Sequence, residues 1–129
     1  MSEKYWEFGT SSGSTAFGLV TAQKERVQGT GAVKRESTFT WLADARGNKY
    51  IGTSITTIDP GQAYAKQLKT EQGLSVEGNL LWSKAYDFAA ALRTHQEFTY
   101  LTTTPYAQKF ILNRQTGSTL KNGAGTVLY

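Results

Sequence analysis

The sequence predicts an α+β protein, an antiparallel β-sheet or small partly open barrel with two helices at about residues 60–70 and 79–95. Three observations lead there. Residues 37–58, "STFTWLADARGNKYIGTSITTI", alternate bulky and small polar residues on both sides of a Gly-Asn pair, which is the pattern of a hairpin. Residues 79–95, "NLLWSKAYDFAAALRTH", place Leu81, Ala85, Phe88, Ala89 and Leu92 at helical spacing. No strand–helix–strand repeat with a parallel-type apolar run occurs, so strand pairing is expected to be antiparallel. At 129 residues the chain reads as a single domain, 1–129, long enough to bury a core without staples.

Each element has its own justification. "KYWEF" (4–8) is a short strand and "GTSSGST" (9–15) a loop, since Gly and Ser dominate and no apolar period survives. "AFGLVTAQKERV" (16–27) reads as a strand and "QGTGAVKR" (28–35) as a flexible connection. In the hairpin, Phe39 and Trp41 share one face with Ile51 and Ile55, and Thr38 and Thr40 lie behind them. That alternation makes the aromatic face the packed side and leaves the threonines to solvent or to an interface.

After the hairpin the period switches. Asp59 is expected to cap the first helix and Pro60 to occupy its first position, with Ala63, Tyr64 and Leu68 as its stripe and Gly73 as its stop. "LSVEG" is a short strand or loop before the second helix. "QEFTYLTTTP" (96–105) returns to period two, "AQKFILNRQT" (107–116) is the next strand, "GSTLKNGAGT" a Gly-rich loop and "VLY" a closing edge strand.

Composition removes several chemistries. With no cysteine there is no disulfide framework, thiolate zinc site or cysteine nucleophile, which fits a cytoplasmic or virion-associated protein. The N-terminal "MSEKYWEF" lacks an apolar signal core, and the longest apolar runs fall far short of the roughly 20 residues that span a bilayer. A soluble chain with no membrane partner is therefore expected. His95 is the only histidine and is expected to stabilise a helix C-terminus. One histidine and scattered acids give no metal-ligand cluster, no catalytic residue is assigned, and no cofactor is implied. Glu25 and Glu36 could meet across a hairpin, but both are better read as solvated strand charges. Neither "GTSSGSTAFG" nor "TGSTLKNGAG" matches a phosphate-binding P-loop.

What remains is a mild excess of positive charge, 14 Lys/Arg against 10 Asp/Glu, interleaved with aromatics. From Phe98 to Tyr129 there are basic residues and no acid. Cations that neutralise phosphates and rings that stack on bases hold single-stranded nucleic acid. The residues in that pattern are Lys34, Arg35, Arg46, Lys49, Tyr50, Tyr100, Tyr106, Lys109, Arg114 and Lys121. Trp6 is a weaker stacking candidate. The order of strands, helical segments and more strands is loosely similar to an oligonucleotide-binding barrel, a likeness of fold order that no motif carries.

The leading expectation is thus a small basic non-enzymatic protein, of phage or plasmid type, that binds single-stranded DNA or RNA with little sequence preference and forms a homo-oligomer. The first alternative is a structural or assembly subunit of coat, decoration or scaffold type, which the Thr-rich face and loop-rich ends suit. The second is a small-ligand binder or inhibitor with a pocket lined by Tyr64, Trp82 or Tyr86.

Overall fold

The computed structural model describes residues 1–103, 108–109 and 112–129, and among these there is no helix. Eight antiparallel strands form one open sheet: β1 (Ser2–Phe8), β2 (Val20–Val27), β3 (Val33–Ala43), β4 (Lys49–Ile58), β5 (Lys66–Leu74), β6 (Leu80–Tyr86), β7 (Leu92–Tyr100) and β8 (Gln115–Asn122). They lie in chain order, each hydrogen-bonded to its neighbours in sequence, a pure meander.

Both expected helices are strands. The 60–70 segment is a turn at Asp59–Ala65 followed by β5. Asp59 caps nothing. It adopts φ 48°, Gly61 adopts φ 84°, the Gln62 amide donates to the Asp59 carbonyl, and the Asp59 carboxylate accepts from Lys34 Nζ at 3.2 Å. The 79–95 segment is the hairpin β6–β7, broken at Asp87–Ala91. Its helical spacing is a coincidence of composition: Ser83 and Ala85 lie on one side of β6, Trp82, Lys84 and Tyr86 on the other, and Leu81 stands in a bulge. Each side mixes polar with apolar residues, Lys84 with Trp82 and Tyr86, Ser83 with Ala85, so no period-two contrast of polarity shows. The OB-like order therefore has no helix to rest on. Strand β8 also runs through most of the segment expected to be a Gly-rich loop.

Four connections share one design. At Asp44, Ser75, Asp87 and Asn122 a side-chain oxygen accepts the amides two and four residues on. The residue's own carbonyl accepts the amide three residues on, and its amide donates to the carbonyl four residues on. The fourth position is left-handed in every case: Gly47 at φ 85°, Gly78 at 80°, Ala90 at 60° and Gly125 at 84°. This is the three-residue hairpin loop, a tight turn closed by a left-handed residue.

There is no core in the expected sense. Among the described residues only Ala22, Gly52 and Gly73 are buried. Phe39 and Trp41, expected to be packed, are half-buried, and Trp41 donates from Nε1 to the Val20 carbonyl at 2.8 Å. A single sheet layer cannot cover its own faces, so apolar side chains here are shielded only by neighbours on the same face.

Candidate functional site: two unlike faces

Directly paired residues of antiparallel strands point to the same side, so the register assigns each paired strand position to a face. On the first, the ionic face, acids and bases interleave in rows that cross the strands. Lys24 on β2 sits between Glu7 on β1 and Glu36 on β3, 2.6 and 3.0 Å away. The two carboxylates hold its ammonium pKa above the ordinary lysine value, Glu7 contributing most. Arg26 pairs with Glu3 at 2.7 Å and lies over the Tyr5 ring.

Further along, Lys69 contacts Glu71 at 2.6 Å, and Tyr86 Oη donates to the same carboxylate at 2.5 Å. The bond from Lys69, then that from Tyr86, holds the Glu71 carboxyl below the usual range, and the Tyr86 phenol is pushed up in turn. Lys121 on β8 reaches Glu97 on β7 at 2.7 Å and depresses its pKa. His95 lies 3.7 Å from Glu97 and meets Trp82 edge-on. Trp82 itself lies flat over Gly73, its partner on β5, where a Cβ would overlap the indole. This is a tryptophan packed against backbone for want of a second layer.

The second, apolar face is different in kind. One row near the β2–β3 end carries charge: Lys4, Glu25 and Arg35, then Ile58 and Lys66. Beyond it the paired rows contain none until Lys49, which pairs with Ala43 at the β3–β4 turn. Trp6, Gln23, Ser37, Thr56 and Leu68 form one, and Phe39, Ser54, Thr70, Ala85, Thr94 and Asn122 another. Ser37 Oγ and Thr56 Oγ1 satisfy each other at 2.9 Å. Trp6, Phe8 and Leu68 are 52%, 56% and 46% exposed. A shallow recess of about 360 Å³ opens between Phe39, Ile51, Thr70, Ser83 and Thr94.

The structure does not gather the sequence-predicted binding residues. Lys34 and Arg35 are on β3, and Lys34 is paired with Asp59. Arg46 lies in the β3–β4 loop, 4.0 Å from Glu77, with Lys49 and Tyr50 at the start of β4. Tyr50 falls on the ionic face beside Leu42. Tyr100, at the end of β7, donates its hydroxyl to the Leu80 carbonyl at 3.0 Å. Lys109 is exposed in a turn, Arg114 is exposed just before β8, and Lys121 is held by Glu97. Tyr106 lies outside the described residues. Positions on β3 and β8 are five strand spacings apart, about 24 Å.

Glu25 and Glu36 fall on opposite faces, so they make no carboxylate pair. Trp82 and Tyr86 belong to the ionic face, whereas Tyr64 is exposed in the β4–β5 connection. Among the described residues no group of three His, Cys, Asp or Glu could hold a metal. Among them no helix is long and apolar enough to cross a membrane. The sequence reading missed Leu68 and Thr70, whose strand looked like a helix. The usable signal was period two in "KQLKTEQ", with Gln67, Lys69 and Glu71 on one side. No protein-family model, curated protein or solved structure matches the chain.

Proposed function

We propose that this chain is a non-enzymatic assembly subunit, of coat, decoration or scaffold type, that acts by presenting a sheet face to another protein surface. One observation carries the reading: among the described residues the sheet has no second layer. Its accessible area is 8479 Å². A compact monomer of this mass exposes about 6,800 Å². The excess of about 1,700 Å² is about twice what each partner contributes to a standard-size interface. A single-stranded nucleic-acid role has weaker support, because several of the cations it needs are engaged by carboxylates and the candidates are spread from β3 to β8.

Size-exclusion chromatography with light scattering tests the proposal. The expected result is a species heavier than the 14.2 kDa chain, little changed between low and moderate salt. A strictly monomeric chain at about 100 µM, together with oligo-dT binding that falls steeply with salt, would reverse the order of the two readings.

A further inference from the structure

We infer that the apolar face is a self-association surface, whose occupant is the same face of a second copy packed sheet on sheet. This rests on the assembly reading and specifies its surface and partner.

The choice of face follows from charge. Docking the ionic face would strip water from Lys24, Glu36, Glu71 and Lys121, and burying ion pairs costs free energy that their attraction rarely recovers. The apolar face presents aromatics, aliphatics and short hydroxyl or amide side chains over most of its area. Its charges lie at its margins, a row of both signs near one end and Lys49 at the β3–β4 turn, which suits the polar rim of an interface.

The choice of a face over an edge follows from pairing. The outer edge of β8 is occupied by the C-terminal segment: the Leu128 amide donates to Leu120, and the Leu120 amide to Tyr129. The β1 edge carries Glu3, Lys4 and Glu7, and two copies paired about Tyr5 would set Glu3 opposite Glu7. A two-fold contact of the apolar face with itself needs no second kind of surface and closes at two copies. The exposed area beyond that of a compact monomer suffices for it.

The absence of cysteine makes a face-resolved test direct. Leu68→Cys and Gln67→Cys are neighbours on β5 that point to opposite faces and are both exposed in the single chain. With maleimide, Leu68→Cys is expected to be protected as protein concentration rises, while Gln67→Cys labels at a constant rate. Trp6→Glu with Leu68→Glu, at the two ends of one row about 19 Å apart, should raise the dimer dissociation constant on the order of a hundredfold. Both side chains are half exposed in the lone chain, so the strand circular dichroism should persist.

A dimer that keeps its mass in the double variant and labels freely at Leu68→Cys would overturn the apolar face while leaving an assembly role intact. A wild-type chain monomeric at about 100 µM would overturn self-association. A dimer whose protection appears at Gln67→Cys instead would assign the contact to the ionic face and refute the inference.

Discussion

The two faces of this sheet are built from the same strands yet solve the missing second layer in opposite ways. The ionic face covers most of itself, and Leu42 alone among its described large apolar side chains is left about as open as those opposite, at 43% exposure. Tyr5 lies under Arg26, Tyr86 under Lys69, Trp82 beside Lys84 and over Gly73, and Arg26 is tied down by Glu3 on the adjacent strand and Lys69 by Glu71 on its own. Long charged side chains cover apolar surface with their stems and keep their heads wet. The apolar face has short Ser, Thr and Gln residues between its aromatics, which cannot lie over a ring, so Trp6, Phe8 and Leu68 stay open. What differs is where the long charged side chains stand: over the rings on the ionic face, but at the margins of the apolar one, where Lys4, Glu25, Arg35, Lys66 and Lys49 lie. That difference separates a largely covered surface from one that awaits a partner.

The largest expected effect comes from breaking the self-covered face. Gly73→Val places side-chain atoms where the Trp82 indole lies. The ring must lift, and its contacts with Lys84 and His95 go with it. A loss of about 1–3 kcal/mol is expected, read from urea unfolding at a concentration below association. The counterpart on the apolar face is Thr70→Glu, three residues earlier and exposed. It should change unfolding by less than about 0.5 kcal/mol while weakening self-association. Equal losses of stability at both positions would remove the distinction between the faces.

Acid should separate the faces next. The Glu71 and Glu97 carboxyls on the ionic face are held below the ordinary value of 4.5 by Lys69 and Lys121. Asp44 and Asp87, in the loops, are held down by Asn48 and by backbone amides respectively. Such groups bind protons more tightly unfolded than folded. Their contribution is fully present above the unfolded values and is lost as pH falls through the depressed folded ones. The urea midpoint should therefore be level from about pH 7 to 5 and fall below about pH 4.5. A midpoint unchanged down to pH 3 would show that these pairings contribute nothing.

These same features explain how far the sequence was readable. The β3–β4 hairpin was plain, because Phe39 and Trp41 alternate with Thr38 and Thr40 around a Gly at the turn. The neighbouring strands were not. On β5 the ionic face takes Gln67, Lys69 and Glu71, and the other takes Lys66 and Leu68. A strand polar on both sides, made of Lys, Gln, Glu and Leu, has the composition of a surface helix. On β6 each face mixes polar with apolar residues, Lys84 with Trp82 and Tyr86, Ser83 with Ala85, with the same loss of contrast. The predicted cations were real surface residues, but the acids that hold Lys34 and Lys121 come from β4's end and from β7. Local sequence does not display that pairing. It appears only once the register is fixed.

The smallest effect belongs to neither face and serves as their control. Three of the four matching loops place Gly at the left-handed position, and the β6–β7 loop places Ala90 there at φ 60°. That missing Gly is why "YDFAAAL" resembled a helix interior rather than a turn. The Cβ of an L-residue crowds its own carbonyl in this conformation, at a cost of about 1–2 kcal/mol. Ala90→Gly relieves the crowding, and the freer unfolded chain offsets about 0.4–1 kcal/mol of the gain. A net stabilisation of about 0.5 kcal/mol is expected, seen as a raised urea midpoint with an unchanged dissociation constant. Gly47→Ala should move the midpoint the other way by about 1 kcal/mol, since Gly47 holds the same conformation at φ 85°. If Ala90→Gly lowered the midpoint, the loop would owe its shape to contacts of the Ala90 methyl, and the equivalence of the four loops would fail. If it changed the dissociation constant, the contact between copies would extend beyond the apolar face to the sheet's end.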